Sequence, residues 1–214
     1  MDFIQDSIQD YCNSHTSQEP FYLQQLSRYT HAKVLQPRML SGHFQGRFLA
    51  MISKFLKPTS ILEIGTYTGY SALCLAEGLQ ADGKLITIDI NPELEEVIHT
   101  HIQMAGMEGK IQFIVGDAYQ VIRTLPQNFD LVFIDADKQN YSKYFDLVAD
   151  RMNEGGVILA DNVLWSGKVV DEKARLNDKD TIALNAFNER VSVDPRFESI
   201  LFPIRDGIMM LRKK

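Results

Sequence analysis

Two acids and a lysine directly follow an apolar run in the stretch FDLVFIDADK, where they are Asp135, Asp137 and Lys138. The apolar residues before them are typical of a buried strand. Charged side chains at the end of such a strand could form a turn, a metal site or an acid/base pair. Which of the three they form depends on the polar residues that the fold brings to the same place.

A second apolar run ends in Asp161 and Asn162. If the two runs are neighbouring parallel strands, their carboxyl ends lie side by side, and Asp135, Asp161 and Asn162 can converge. Two carboxylates and one amide oxygen, without His or Cys, suit a hard divalent cation, Mg²⁺ first and Mn²⁺ or Ca²⁺ as rivals. An Asp-Asn pair is equally common at turns, so spacing alone leaves both alternatives open.

Five short apolar runs predict the strands that would carry these residues, namely SILEIG (60–65), KLITIDI (84–90), IQFIVGD (111–117), DLVFID (130–135) and GVILAD (156–161). They are strongly apolar rather than alternating, which indicates strands covered on both faces. Helical stretches separate them, one of which is capped by Asn91 with Pro92 at its first position. The alternation predicts an α/β fold with a doubly wound, mostly parallel sheet and helices on both faces.

The two ends of the chain depart from this alternation. Two apolar runs joined around Asp206-Gly207 predict a C-terminal antiparallel hairpin, which brings the sheet to seven strands. Residues 1–58 predict a helical N-terminal extension. Because no repeat, low-complexity tract or linker interrupts the chain, we expect a single domain over residues 1–214.

Composition and charge narrow the classes of function. The formal net charge of −6 argues against binding to nucleic acid or to an anionic membrane, which needs a basic face. Cys12 and Cys74 lie in different segments without C-x-x-C or zinc spacing, which favours a reducing cytoplasm. The first residues lack the lysines of a signal peptide, and no apolar segment reaches membrane-spanning length. We therefore expect a soluble, cytoplasmic protein.

A glycine turn follows the first strand in LEIGTYTGYS, where Gly65 and Gly69 let the backbone approach a ligand. The turn lacks the G-x-G-x-x-G spacing of a pyrophosphate clasp. Glu63, an acid inside the apolar strand, would repel a diphosphate and suits a cationic or amine-bearing ligand. The turn therefore predicts a ligand with a positive centre.

Two further acids end the next strands. Asp89 is placed to accept hydrogen bonds from ribose hydroxyls, and Asp117 with Ala118 would lie beside an adenine edge. Each acid alone could be a strand-end cap, but three on consecutive strand ends favour a nucleoside-like ligand. A nucleoside with a positive centre and no phosphates points to S-adenosylmethionine (SAM).

Three motifs, EIGTYTGYS, IDADKQNY and DNVLWSG, together resemble the cation-dependent O-methyltransferases of the caffeoyl-CoA and catechol type, a family of class I SAM-dependent enzymes with a Rossmann-like fold. The resemblance runs from about Met39 to the C-terminus. It implies that the residues lining the cofactor site are Met39, Ser41, Glu63, Gly65, Tyr67, Ser71, Asp89, Asp117, Ala118 and Asp135. Without the resemblance, Tyr67 and Ser71 would be an ordinary turn aromatic and a first-turn helix residue.

The resemblance also implies Asp135, Asp161 and Asn162 as metal ligands and methyl transfer to a hydroxyl of a catechol-like or caffeoyl-type molecule. A metal would stabilise the phenolate and orient vicinal hydroxyls. Lys138, whose neutral form is favoured near a cation, could then take the phenolic proton as catalytic base; otherwise it is a solvated helix residue. Asp137 is interpreted as the N-cap of the following helix or as an acid behind the ligands.

The residues that would contact the methyl acceptor are less clearly marked in the sequence than those of the cofactor and metal sites. LWSGKVV (164–170) and the polar DEKARLNDKD (171–180) are expected to form a long connection over the site. Trp165 is either a wall for an aromatic acceptor or a core-capping aromatic. In the relatives the last hairpin turn lies near the acceptor, which nominates Asp206, although an ordinary Asp-Gly turn explains it equally well. Arg205 stands where plant relatives typically have a small residue, a departure from the family pattern.

Two other functions stay open. A Rossmann-type nucleotide-dependent oxidoreductase is opposed by Glu63 and by the missing glycine fingerprint. A cofactor-binding homologue without turnover is opposed by the intact set Asp135, Lys138, Asp161 and Asn162. The expected partners are a small phenolic acceptor and a second copy in a homodimer, with the helical extension shaping both contacts. The histidines, including His99 and His101, are expected on the surface.

Overall fold

The computed structural model describes residues 4–214 as one seven-stranded sheet flanked by helices. The strands are β1 (Ser60–Ile64), β2 (Lys84–Asp89), β3 (Ile111–Val115), β4 (Phe129–Ile134), β5 (Met152–Asp161), β6 (Phe197–Phe202) and β7 (Ile208–Lys213). The α-helices are α1 (Asp6–Ser14), α2 (Phe21–Lys33), α3 (Gly42–Leu56), α4 (Tyr70–Ala76), α5 (Glu95–Met104), α6 (Ala118–Thr124), α7 (Tyr141–Val148), α8 (Glu172–Asn177) and α9 (Lys179–Ser192).

The sheet has the order β3-β2-β1-β4-β5-β7-β6, in which β1 to β5 are parallel and β7 is antiparallel to both of its neighbours. The predicted doubly wound sheet with a terminal hairpin is thereby confirmed. The chain runs outward from β1 to β3 and then returns to the other side of β1, so β1 and β4 form the switch point at which such sheets bind ligands. Ile64 pairs with Ile134, which pairs with Ala160, and the residues that follow them lie in one row.

Both faces of the sheet are covered, as the apolar strands predict. Val132 and Ile134 point to one core, where Phe145 of α7 and Phe187 of α9 pack. Alternate residues such as Phe133 point to a second core under α2, α3, α4 and α5. Cys74 is fully buried in that second core, where its thiol is packed.

Two features differ from what the sequence suggested. The polar segment 171–180, expected to be part of a long connection, forms α8 and the start of α9, because Asp171 and Asp178 cap these helices by accepting hydrogen bonds from backbone N–H groups. His101 is buried rather than exposed, since its ring packs against Tyr29 of α2. Within residues 4–214, no helix combines the length and hydrophobicity needed to cross a membrane.

Candidate active site

A cleft of about 1560 Å³ opens at the carboxyl ends of the parallel strands. Every residue predicted for the cofactor, the metal, the base or the acceptor lines this cleft, with the exception of Glu63. Glu63 is fully buried on β1, directly before the glycine turn. The fold therefore brings the predicted site residues together in one place.

The glycine turn leaves β1 in a conformation that only glycine adopts easily. Gly65 has a φ of +98°, and a Cβ atom built on it would lie 1.9 Å from the carbonyl oxygen of Asp135. Asp89 holds the rest of the turn, because its Oδ2 accepts hydrogen bonds from the backbone N–H groups of Thr66 (3.0 Å) and Tyr67 (2.8 Å). A carboxylate oxygen has more than one lone pair, so Asp89 can still accept from ribose hydroxyls.

Glu63 is a fully buried acid beside the glycine turn. Its Oε2 accepts a hydrogen bond from Thr87 Oγ1 at 2.5 Å, whereas none of the side chains described in residues 4–214 donates to its Oε1. Burial raises the pKa of Glu63 to about 8, and the nearby charges of Asp135 and Asp89 act in the same direction. A buried carboxyl oxygen without a partner is costly, so the site suits a ligand that brings a positive or donating group.

The remaining cofactor residues surround the turn. Asp117 is the N-cap of α6, where its Oδ1 accepts from Tyr119 N at 2.8 Å, and it also lines the cleft. The hydroxyl of Tyr67 donates to the Leu35 carbonyl oxygen at 2.9 Å. This bond joins the glycine turn to the N-terminal extension, from which Ser41 enters the same cleft.

Lys138 lies at the centre of the polar cluster after β4. Its Nζ donates to Asp135 Oδ1 at 3.0 Å, to Asn162 Oδ1 at 2.8 Å and to the Tyr141 hydroxyl at 2.7 Å. Burial alone would lower the pKa of Lys138, but the Tyr141 hydroxyl and the Asp135 carboxylate outweigh it and raise the pKa above its ordinary value. In this arrangement Lys138 is an ammonium and not yet a base.

Asp161 presents its carboxylate from the end of β5 and is only 2% exposed. Its Oδ1 accepts from the backbone N–H of Asn162 at 2.8 Å, and its Oδ2 accepts from Gln45 Nε2 at 2.6 Å. Burial raises the pKa of Asp161 to about 6, and the charge of Asp135 adds to this effect. Two carboxylates therefore share one buried region.

The predicted ligand oxygens fit a divalent cation by their chemistry. Among residues 4–214, no group of three or more His, Cys, Asp or Glu side chains is arranged to bind a metal, but the predicted set contains only two carboxylates and one amide. Asp135 and Asn162 already direct their oxygens at one positive charge, the ammonium of Lys138. A divalent cation would have to compete with that ammonium for the two oxygens.

Asp137 does not cap its helix through the backbone, although it stands at the N-cap position of the 3-10 turn Lys138–Asn140. Its Oδ1 accepts from the Tyr144 hydroxyl at 2.6 Å, and its Oδ2 accepts from the side chain of Asn140. The side chain therefore ties this turn to Tyr144 of α7 and does not accept from a backbone N–H group, which corrects the N-cap interpretation in part.

Two loops, residues 162–167 and 203–207, form a hydrogen-bonded unit at the other side of the cleft, here called the paired loops. Leu164 N donates to the carbonyl oxygen of Asp206 at 2.9 Å, and Ser166 N donates to its carboxylate. Trp165 and Ser166 have left-handed backbones, with φ of 49° and 54°. The Trp165 ring centroid is 5.9 Å from Lys138 Nζ, so the indole flanks the proposed base.

Sequence reasoning missed Gln45 and Tyr141, and it saw Arg205 only as a departure from the family pattern. Gln45 lies among the buried residues of α3, and a polar residue on an apolar helix face is a signal that a partner is needed. Tyr141 donates to the Asp161 carbonyl oxygen at 2.9 Å and had no comparable signal.

A mostly parallel seven-stranded sheet with a terminal antiparallel pair, a glycine turn and a row of strand-end acids is the architecture of the Rossmann-like methyltransferases. A family model described as O-methyltransferase matches residues 13–214, and the chain belongs to this family. It is an S-adenosylmethionine-dependent O-methyltransferase.

Individual relatives agree with this assignment. A caffeoyl-CoA O-methyltransferase from Zinnia elegans is 37% identical over 91% of this chain and 83% of the relative, and caffeoyl-CoA O-methyltransferase 5 from Nicotiana tabacum is 35% identical over 91% and 85%. The structure of an O-methyltransferase from Bacillus cereus in complex with SAH has a TM-score of 0.88 at 27% identity, covering 97% of both chains. TomG from Streptomyces achromogenes, in complex with SAM, has a TM-score of 0.87 at 27% identity, covering 97% of this chain and 96% of TomG.

Proposed function

We propose that the protein transfers the methyl group of SAM to a hydroxyl of a catechol-like or caffeoyl-type small molecule, and that the reaction needs a divalent cation. One observation carries this proposal: the oxygens of Asp135 and Asn162 converge on a positive charge beside the buried carboxylate of Asp161, inside the cleft that holds the predicted cofactor residues. Similarity to caffeoyl-CoA O-methyltransferases supports a phenolic acceptor.

Asp135, Asp161 and Asn162 would hold the cation. When bound, such a cation supplies Lewis acidity, which lowers the pKa of an acceptor hydroxyl near pKa 10 toward neutral pH. These three side chains lie close to the glycine turn of the predicted cofactor site, because the backbone of Gly65 lies directly against the carbonyl oxygen of Asp135. A short distance between donor and acceptor is itself a large part of catalysis.

The transfer forms an O–C bond and breaks the S–C bond, whose electron pair stays on sulfur, and the hydroxyl proton has to leave. Lys138 is the group that receives this proton. It must be neutral to do so, and the Tyr141 hydroxyl and the Asp135 carboxylate keep it charged by raising its pKa. The base therefore becomes available when another positive charge engages Asp135 and Lys138 has released its own proton to solvent.

The paired loops would form the acceptor wall. Trp165 offers an aromatic face next to Lys138, and such a face favours a planar acceptor. Asp206 lines the same side of the cleft, where burial raises the pKa of its carboxyl group. Asp206 holds Ser166 in place, so its contribution to the acceptor pocket includes the shape of the loop.

A methylation assay with a panel of acceptors tests the proposal. We expect turnover of vicinal diols such as a catechol or a caffeoyl ester, little turnover of matched monophenols, and loss of turnover after chelation that Mg²⁺ or Mn²⁺ restores. Turnover that survives complete chelation would contradict the metal requirement.

Asp161→Asn distinguishes a role of Asp161 in binding the cation from a role in binding the cofactor. This variant removes one charge from the ligand set, and we expect it to lose cation-dependent turnover while SAH still binds, as measured by calorimetry. Equal loss of SAH binding would mean that Asp161 supports the cofactor site and not a cation.

A further inference from the structure

A hydrogen-bonded chain connects the turn between β6 and β7 to the carboxylate of Asp161. Gln45 of α3 is fully buried and donates from Nε2 to Asp161 Oδ2 at 2.6 Å. Its Oε1 accepts from Arg205 Nη1 at 3.1 Å. Three residues that lie far apart in the sequence therefore form one polar connection that ends at a predicted cation ligand.

The chemistry of the three groups fixes the direction of the Gln45 amide. A guanidinium only donates hydrogen bonds, and an ionised carboxylate only accepts them. The amide oxygen must therefore face Arg205, and the amide nitrogen must face Asp161. A flipped amide would place its NH₂ group against the guanidinium and its oxygen against the carboxylate, so Arg205 keeps the donor of Gln45 directed at Asp161.

Arg205 is itself held by the N-terminal extension. Its Nη1 also donates to the carbonyl oxygens of Leu40, at 3.1 Å, and of Ser41. Because Nη1 carries only two hydrogens, its three acceptors share them. These contacts join the turn to the residue that precedes α3, and they place the guanidinium where the Gln45 oxygen meets it.

The carboxylate of Asp161 depends on such donors. The carboxylate is buried, and each of its oxygens accepts one hydrogen bond, from Asn162 N and from Gln45 Nε2. Two donors on two different oxygens define the plane of the carboxylate, and each oxygen keeps a further lone pair for a ligand. Without the amide of Gln45, Oδ2 would lose its donor, and the bond from Asn162 N to Oδ1 would be left to orient the carboxylate.

We propose that Gln45 is a positioning residue that orients Asp161 toward a divalent cation, and that Arg205 acts through Gln45. The inference rests on the proposed function, because it takes Asp161 as a cation ligand. Groups that orient a ligating side chain typically contribute about 10- to 100-fold in metal affinity. The loss of Gln45 should therefore weaken cation binding without a matching loss of cofactor binding.

The test measures Mn²⁺ binding to the full chain by the electron paramagnetic resonance signal of free Mn²⁺, with SAH affinity measured by calorimetry on the same proteins. Gln45→Met keeps a side chain of similar length and removes the amide. We expect its Mn²⁺ affinity to fall about 10- to 100-fold, its SAH affinity to stay unchanged, and its turnover to return at saturating Mn²⁺.

Arg205→Met tests the second half of the proposal. We expect a smaller fall in Mn²⁺ affinity than for Gln45→Met, and no additional fall in the double variant, because Arg205 acts through Gln45. If Gln45→Met does not fold, Arg205→Met carries the test alone, since it leaves the buried glutamine in place. Additive losses in the double variant would overturn the order that we propose.

Ser53→Ala is the matched control, because Ser53 is also fully buried on α3 and donates to Leu75 O at 2.5 Å, outside the cleft. It should lower thermal stability and leave Mn²⁺ affinity unchanged. Parent-like Mn²⁺ affinity in folded Gln45→Met would overturn the inference. If Asp161→Asn also binds Mn²⁺ like the parent, the proposed cation site fails, and the inference fails with it.

Discussion

Lys138 and Asp135 form an ion pair of 3.0 Å in which the two side chains are only 9% and 23% exposed. A lysine in such a pair keeps its proton, whereas a catalytic base has to release one. In the proposed reaction this sets an order of events, because Asp135 must be neutralised by another positive charge before Lys138 can act. The ion pair that partners the partly buried charge of Asp135 also keeps Lys138 protonated.

Lys138→Met should separate the role of Lys138 as a base from its role as the partner of Asp135. Removing a general base lowers turnover by about 10²- to 10⁴-fold, while Mn²⁺ affinity should not fall, because a competing positive charge is gone. The variant should also have a lower melting temperature, which Mn²⁺ restores, because Asp135 is left without its partner. Lys168→Met is the control, since Lys168 is equally close to Trp165 but pairs with Asp178. Unchanged turnover of Lys138→Met would remove Lys138 as the base.

Cofactor affinity should depend on pH through Glu63, whose pKa is raised to about 8 by burial. A neutral carboxyl group cannot neutralise a positive ligand, so SAM affinity should rise between about pH 6 and pH 8, by up to about tenfold per pH unit. Binding in this range should release a proton, which calorimetry in two buffers of different ionisation enthalpy detects. Glu63→Gln should lose this dependence, and an unchanged pH profile in the variant would assign the effect to another group.

The carboxyl group of Glu63 has the opposite pH effect on the folding stability of the ligand-free protein. The folded state binds the proton of Glu63 more tightly than the unfolded state, where the pKa is near 4.5. Stability is therefore gained at low pH and lost as the pH rises toward 8. Denaturant titrations of parent and Glu63→Gln, compared across this range, should show a smaller decline for the variant.

Gly65→Ala should damage both stability and cofactor binding. The added Cβ would meet the Asp135 carbonyl oxygen at 1.9 Å, in addition to the strain of a φ of +98°. Gly106→Ala is a matched control, because Gly106 has a φ of +65° and a Cβ added there would meet no atom within 4 Å. We expect about 1–2 kcal/mol of destabilisation for the control and a clearly larger loss for Gly65→Ala in denaturant titrations. Equal losses would show that strain, and not the contact with Asp135, dominates.

Asp206→Ala should affect the acceptor and spare the cofactor. It removes the carboxylate that accepts from Ser166 N, so the loop beside Trp165 loses its support. We expect the KM for the acceptor to rise by about tenfold while the KM for SAM is unchanged. Asp171→Ala removes a comparable acceptor of a backbone N–H group, at the start of α8 and outside the cleft, and should leave both constants unchanged. A rise in the KM for SAM would place Asp206 on the cofactor side.

The sheet and the row of strand-end residues could be predicted because their signals are local. Apolar runs, the Asn91 cap and the Asp206-Gly207 turn each lie within a few residues of sequence. The helix α8 was missed because its sequence is polar, and only the cap Asp171 marks where it begins. The helix α9 was missed although Leu184, Phe187 and Val191 form a buried face on it. The residues of α8 face solvent, so they form no apolar stripe to recognise.

The contacts that set the chemistry could not be predicted from spacing. The bond between Gln45 and Asp161 joins residues 116 positions apart, and the bond between Arg205 and Gln45 spans 160 positions. His101 was expected on the surface, whereas Tyr29 of α2 packs against it. Sequence motifs indicated which residues meet at the strand ends, but the packing of the N-terminal extension decides how their side chains are held.

The paired loops also limit how new acceptor pockets can be built from this scaffold. Loop 162–167 and loop 203–207 share backbone hydrogen bonds, and a Cβ on Gly207 would lie 2.5 Å from the Leu164 side chain. A chimaera that takes one loop from a relative and keeps the other would leave unmatched backbone groups at their junction. The two loops would therefore have to be replaced together, although more than thirty residues of helix and strand separate them along the chain.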